Sequence, residues 1–496
     1  MTMIVLFCLP AFVALVLWLW QPSFLWSRRL GLLTSAILMA AALSLLQETS
    51  QGHVEVVTFG GWRPPYGIAF AADALSALFV ALQAVLLSIV VLALRPELHG
   101  ELTVRRAHPL ALMLTSGLIG GFLTSDLFNL FVMFEAVLIS SYLLLQVPGT
   151  KRSVAGALPV IVINFIASGL FLAGLGLLYG MVGSVNVADL ALHLGDAPVG
   201  LRRAALAMLV VAFGTKAALV PLCFWMPASY PTLAAPLAAL FAGIMTKLGV
   251  YALLRIHPLL LMDDSLLTVL LWAGGLSALF GVLAALSQYE VRRLLSFHSV
   301  SQVGYIVAAL GLGDSLGLAA ALFFVLHHSL VKPSLYLVSD ELERRNATRD
   351  LRAMDFRKAG SGLLALGFGI AAFSLAGLPP LSGFFGKLSI FRAAFEAEAF
   401  LLLVLLVLAS LFTLASMLKI WRLAFSAKPV KEESMESVVR PTNRALGLLV
   451  ALILILGFAA GPVYTYAMQA ARLTLDGSSY QEAVLGANGM GPERRF

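Results

Sequence analysis

Apolar runs of about 20 residues recur along nearly the whole chain, parted by short polar loops, and nothing else constrains its fold as strongly. A main chain in lipid must satisfy its own hydrogen bonds, so runs of this length read as membrane-spanning α-helices. Hydrophobic residues make up 60% of the 496 and charged residues only 12%, which excludes a soluble globular domain. The net charge of +7 does not mark a nucleic-acid partner, because Lys and Arg fall in short loops between apolar runs. Cys8 and Cys223 are far apart and each sits in an apolar run, so no disulfide framework, iron–sulfur site or zinc site is indicated. The first run, Met3 to Trp20, lacks a basic n-region and a small-residue cleavage site and reads as a retained span.

Residues 3–20, 30–46, 68–94, 110–124, 127–145, 154–179, 204–226, 234–256, 266–286, 297–312, 316–338, 362–395, 400–421 and 446–468 give about fourteen helices. Charge bias checks the count independently. Loops after odd-numbered helices (Arg28-Arg29, Arg105-Arg106, Lys151-Arg152, Arg292-Arg293, Arg344 to Lys358, Lys428 to Arg444) hold most of about twenty Lys/Arg, and the even loops hold about four, Arg63, Arg202, Arg203 and Arg255. The odd loops are therefore expected in the cytoplasm, with both termini outside it. The polar stretches Asp340 to Ser361, Ser426 to Arg444 and Asp476 to Phe496 are too short to fold alone. No GxxxxGK[ST], and no GxGxxG between a strand and a helix, is present to hold a nucleotide. Energy for transport must come from an ion gradient or from partner subunits.

Five ionisable side chains, Glu135, Lys216, Lys247, Lys332 and Lys387, lie deep inside the apolar runs. Each costs on the order of 3 kcal/mol at the bilayer centre, so a chain that carries them must use them. Two runs also hold interior prolines. Pro221 frees the carbonyl of Ala217 beside Lys216, and Pro379-Pro380 free those of Leu375 and Ala376 two turns before Lys387. Broken helices at membrane depth are where transporters place ion sites, and the loose likeness of the two segments suggests an inverted repeat. Glu135 is the only centrally placed acid available to Lys216 or Lys247. Moving it toward or away from Lys216 would switch whether that amine holds its proton. His298, His327, His328 and Lys332 extend the line. His327 and His328 are about 100° apart on a helix, whereas His328 and Lys332 share a face. A buried His serves packing about as often as proton relay, and His298, near a helix start, is open between the two. Asp73 and Asp126 read as helix caps, and Glu290, Arg292 and Arg293 as a solvated loop.

The stretches NLFVMFE (129–135), ISSY (139–142), KAALVPL (216–222), FWMPASY (224–230), LFAGIMTKLGVY (240–251), RLLSFHSVSQVGY (293–305) and GFFGK (383–387) carry a family signature. The chain, from about Asp73 to Trp421, resembles the antiporter-like subunits shared by Mrp sodium/proton antiporters and respiratory complex I, most closely the D-type subunit of the Mrp complex. The resemblance implies an all-α integral membrane protein with two inverted five-helix repeats and broken helices 7 and 12. The expected organisation is helices 1–3 over 1–107, repeat one over 108–257, repeat two over 258–425, then a loop, helix 14 and a tail over 426–496. Glu135 and Lys216 would form the essential ion pair, and Lys247, the histidine region and Lys387 would continue a hydrated lateral proton path. The D-type subunit acts only within a complex of several hydrophobic Mrp subunits, in a bacterial cell membrane. That complex exports sodium, and sometimes other monovalent cations, in exchange for protons. No bound cofactor is implied. Pro231 after Tyr230, and the pattern HHSLVKP (327–333), depart from the commoner family sequences and leave the mid-chain relay residue open.

Three readings follow: a secondary cation/proton antiporter subunit, a proton-pumping subunit of complex I or a membrane-bound hydrogenase whose redox centres lie in other chains, and a non-conducting scaffold. The first is favoured by the ISSY and PASY stretches. Neither the cation nor any metal ligand is specified.

Overall fold

A computed structural model of the chain describes residues 1–355, 362–426 and 443–486. The expected loop residues Arg357, Lys358 and Lys428 and the end of the tail lie outside them. The first two helices, α1 (Thr2–Trp20) and α2 (Phe24–Thr49), lead into a two-stranded ribbon, β1 (Glu55–Thr58) and β2 (Ala69–Ala72). The strands are antiparallel, with Glu55 opposite Ala72 and Thr58 opposite Ala69. This corrects the reading of 68–94 as one helix. Ile68 to Ala72 is extended because its main chain bonds to β1 and to Ser125, whose N–H donates to Ala69 O at 3.0 Å. Asp73 then caps α3 (Ala74–Ala93) by accepting from the Ser76 N–H at 2.9 Å.

The chain continues through α4 (Pro96–His99), α5 (Glu101–Leu123), α6 (Leu127–Gln146), α7 (Lys151–Val182), α8 (Val187–His193) and α9 (Val199–Lys216). Arg105 and Arg106 belong to the first turns of α5, not to a loop. Apolar windows report only the lipid-embedded part of a helix, and good helix formers such as Glu, Leu and Arg carry it further. After α10 (Trp225–Ser229) come α11 (Ala235–Leu240), a π-helical turn over Phe241–Met245, and α12 (Thr246–Arg255). Then follow α13 (His257–Leu260), α14 (Asp264–Ser287), α15 (Val291–Leu310) and α16 (Ser315–Asn346). The Ser301 hydroxyl on α15 donates to Ala278 O on α14 at 2.7 Å, a polar tie between closely packed helices. The last elements are α17 (Gly362–Ala376), α18 (Ser382–Glu396), α19 (Phe400–Ala424), α20 (Asn443–Phe458), α21 (Ala460–Asp476) and α22 (Ser478–Leu485).

Among the described residues nine helices are long and apolar enough to cross a membrane, ten if α20 and α21 count as one span bent by 78°. The break at Ala459 corrects the reading of 446–468 as one helix. Pro462 has no N–H to give the carbonyl of Phe458, and its ring crowds that turn. Apolar side chains of α1, α2, α7 and α19 stay exposed on the outside, as lipid-facing helices require. By contrast α16 is buried around its circumference from Gly317 to Glu343, Leu326 alone excepted. Its polar residues therefore face protein on every side.

Candidate functional site

The polar centre is assembled where helices stop or change winding. Helix α9 ends at Lys216, and residues 217–224 run as turns before α10. Pro221 lies in that gap. The Trp225 indole donates to Thr215 O at 3.0 Å, and the Val220 N–H donates to Ser277 Oγ at 2.9 Å, so main-chain groups outside the helical ladder are met by side chains. Gly249 on α12 permits this packing. A Cβ there would stand 2.6 Å from both Ala217 N and Phe213 O.

Lys216 and Glu135 do not touch directly. Ser168 on α7 stands between them, donating its hydroxyl to Glu135 Oε1 at 2.5 Å and accepting from Lys216 Nζ at 3.3 Å. Lys216 is 4% exposed and lies 5.0 Å from the centre of the Phe134 ring, a cation–π contact. Glu135 is only half-buried, so this end of the site opens on the side of the molecule. A cavity of about 20 Å³, lined in part by Lys216, Ser141, Asn164, Ser229, Phe241 and Met245, runs from Lys216 toward the π turn. That is room for one water molecule between polar groups.

Among the described residues Lys247 has no acid beside it. A π turn takes carbonyls out of the α-helical ladder, and Lys247 Nζ donates to one of them, Ala242 O, at 2.7 Å. Lys332 on α16 likewise donates to Leu295 O on α15 at 2.8 Å. Lys247, Lys332 and His328 lie within electrostatic reach of one another, and all three are fully buried. Among the described residues neither ring nitrogen of His328 has a hydrogen-bond partner, nor do the Ser329 and Thr246 hydroxyls or the Gln302 amide. Buried polar groups of this density are normally hydrated.

The second break separates α17 from α18 at residues 377–381, which include Pro379 and Pro380. Ala376 O, at the end of α17, accepts from Lys387 Nζ at 3.0 Å and from the Ser410 hydroxyl at 3.1 Å. Lys387 also donates to Ser410 Oγ at 3.0 Å and lies 5.2 Å from the Tyr305 ring centre. His327 Nδ1 is 3.0 Å from Ser382 Oγ, which is 3.1 Å from Ser374 Oγ. Gly383 lets these helix ends meet, since a Cβ there would fall 1.7 Å from Ser374 O. His298 Nε2 is 2.8 Å from Ser416 Oγ, within electrostatic reach of Lys332 and Lys387.

Chemically, four buried amines, Lys216, Lys247, Lys332 and Lys387, are held by carbonyls and serines. Among the described residues none is in an ion pair. Such an amine can give up its proton without leaving a carboxylate stranded in the interior. Sequence reasoning named every lysine and histidine here but missed Ser168, Ser382, Ser410 and Ser416. Only Ser168 had a signal, its i, i+4 spacing from Asn164 in an otherwise apolar helix.

Three further residues depart from their expected roles. Arg292 is not in a solvated loop. It is 4% exposed, donates from Nε to Glu343 at 2.7 Å and from Nη1 to Leu233 O at 2.6 Å, and lies 3.3 Å from Asp340. Arg255 is buried too, and holds Asp73 through two bonds of 2.7 and 2.8 Å. Asp73 is thus both cap and ion-pair partner.

Residues 124–413 match the family described as NADH:quinone oxidoreductase/Mrp antiporter, TM. The chain is 38% identical to the D-type subunit of the Na(+)/H(+) antiporter of Alkalihalophilus pseudofirmus over 90% of its own length and 92% of that protein's. It superposes on a chain of the Mrp complex from a Dietzia species with a TM-score of 0.89 at 29% identity, covering 98% of this chain and 99% of that one. It also superposes on a chain of a membrane-bound sulfane sulfur reductase, an archaeal respiratory membrane complex, with a TM-score of 0.90 at 26% identity, over 97% and 99% of the two chains.

Proposed function

This chain belongs to the NADH:quinone oxidoreductase/Mrp antiporter family, and from that membership we propose that it works as the D-type subunit of a multisubunit sodium/proton antiporter. Protons cross it along Glu135, Ser168, Lys216, Lys247, His328, Lys332 and Lys387, with His298 and His327 flanking the line. The observation that carries this reading is the set of four buried lysines bonded to main-chain carbonyls and serine hydroxyls in place of acids. Amines held this way can release and regain protons, and the unpartnered polar groups between Lys247 and Lys332 suit the water that would link them.

The fold is read as fourteen spans with two inverted repeats, in which α9 with α10, and α17 with α18, make the broken spans. The arginine-rich ends of the helices face the cytoplasm and both termini face away from it, in a bacterial inner membrane. The partners are other hydrophobic subunits, one of which would cover the open side at Glu135. Likeness to the sulfane sulfur reductase chain favours a second reading, proton pumping driven by a redox partner.

Everted vesicles containing this chain and its co-encoded partners separate the two readings. With a pH gradient imposed artificially and no electron donor, sodium should collapse the gradient, and Lys216→Ala should abolish the collapse. Proton uptake that appears only when an electron donor is added would move the chain to the respiratory branch.

A further inference from the structure

Beyond the line of lysines, one buried titratable pair has no part in the path described so far. His99, at the end of α4, points its Nε2 at Asp340 Oδ2 on α16 across 3.5 Å, with the two side chains 6% and 8% exposed. The same Asp340 oxygen lies 3.4 Å from Arg344 Nε, so the imidazole and the guanidinium share it. Both groups sit at the arginine-rich end of the helices, where His99 Nδ1 is 3.1 Å from Arg95 O.

From Asp340 a polar stripe leads straight to the centre. Lys332, Tyr336 and Asp340 follow one another at four-residue intervals on α16, so they share one face, and all three are buried. Helix α15 meets that face residue by residue. The Tyr336 hydroxyl is 3.0 Å from Ser296 Oγ, Ser296 donates to Arg292 O at 2.7 Å, and Lys332 donates to Leu295 O at 2.8 Å. The surroundings of Asp340 are charged on every side. Arg292 approaches from α15 at 3.3 Å, and Arg344 from one turn on along α16 at 3.4 Å. Glu341 is paired with Arg344 and Arg345, Glu343 with Arg292 and Arg349, and Glu290 with Arg152 and Arg349. The acids around Asp340 are thus committed to arginines, and Asp340 Oδ2, 3.4 Å from Arg344 Nε, is also the oxygen that faces the imidazole of His99, a ring with one nitrogen to donate and one to accept.

We propose that His99 and Asp340 form the port through which protons from the arginine-rich side reach Lys332. His99 takes a proton from water and passes it from Nε2 to Asp340 Oδ2, which leaves a neutral imidazole and a neutral carboxyl. The carboxyl gives the proton to the Tyr336 hydroxyl as that hydroxyl releases its own toward Lys332, so Tyr336 ends unchanged and Lys332 ends charged. This rests on the reading of the chain as a proton path.

Proton flux in everted vesicles, which present the arginine-rich side to the medium under the proposed orientation, tests the port with added imidazole as the probe. His99→Ala should slow sodium-driven proton flux about tenfold or more and shift its pH profile, and imidazole in the medium should restore most of the rate. Asp340→Asn should be as slow and indifferent to imidazole, while Asp340→Glu should recover. Variants are compared on complexes that copurify with their partners. His99→Gln, similar in size but unable to carry charge, stands in if His99→Ala does not assemble. A His99 variant with the wild-type rate and pH profile, or a slow one that imidazole leaves slow, overturns the port. If the wild-type complex moves protons only with an electron donor, the antiporter reading fails instead, and the same variants are scored on the donor-driven flux.

Discussion

Ser168→Ala removes one hydroxyl and, with it, both bonds that tie Glu135 to Lys216. The two bonds of 2.5 and 3.3 Å laid end to end put Glu135 Oε1 and Lys216 Nζ no more than 5.8 Å apart. At that distance two unit charges attract by ~3 kcal/mol at an effective dielectric constant of 20. The Coulomb attraction therefore survives the substitution, and what is lost is the hydroxyl's contact with each charged group. Hydrogen bonds to charged groups contribute about 1.5–3 kcal/mol each, and water entering the neighbouring cavity would replace part of that. A net loss of about 1.5–2 kcal/mol on the transfer step corresponds to a rate about 10- to 30-fold lower. The assay is sodium-driven collapse of an imposed pH gradient in everted vesicles, normalised to assembled complex. Ser168→Thr, which keeps the hydroxyl, should retain most of the rate, and Glu135→Gln should abolish it. If Ser168→Ala exchanges within twofold of wild type while Glu135→Gln is dead, the acid and the amine communicate without the serine, and the bridge has no role in transfer.

Gly249→Ala should lower the thermal midpoint in detergent by an amount equivalent to ~1–3 kcal/mol, because its Cβ must push back the main chain at Phe213 and Ala217; Gly169→Ala, with open space around it, is the control that should not shift. Arg292→Met removes the buried arginine that Asp340 and Glu343 share but leaves Arg344 beside the first and Arg349 beside the second, so it should cost ~1.5–3 kcal/mol, seen as a lowered thermal midpoint in detergent; an unchanged midpoint would contradict the burial argument. Asp263 caps α14, and its bonds with Arg203 and Ser265 hold its carboxyl below the ordinary value of 3.8. A depressed carboxyl stabilises fully above its unfolded value, and the contribution declines below that value and is lost as pH falls through the lower folded one. Asp263→Ala should therefore unfold more easily by ~1 kcal/mol at pH 7, with the gap to wild type closing below about pH 4, as followed by denaturant titration at both pH values. An equal gap at pH 3 and pH 7 would show that the charge is irrelevant.

Much of the site could be read in the sequence because a lysine in an apolar helix is rare and expensive. Lys216, Lys247, Lys332 and Lys387 announce themselves for that reason. Ser168 and Ser410 do not. Serine is common in membrane helices, and only the packing of α7 against α9, or α18 against α19, selects those two. Likewise the segment 69–72, Ala-Phe-Ala-Ala, is as apolar as any helix, and its strand conformation comes from hydrogen bonds to residues 55–58 and 125 that no local pattern reveals. Arg292 was misread for a related reason. The acids that bury it, Asp340 and Glu343, lie past the end of the apolar window of α16, and the helix carries them inward all the same.

The five π-helical residues before Lys247 can also be considered as a matter of chain length. A π turn is an α-helix that has taken in one extra residue, with the flanking turns keeping their register. Removing one residue between Phe241 and Met245 would therefore be absorbed locally, leaving Gly249 against the break at Lys216 while withdrawing the Ala242 carbonyl from Lys247. Relatives without this turn should differ from the present chain by a one-residue gap at this place, and that gap would mark the ones whose corresponding lysine is anchored by something else.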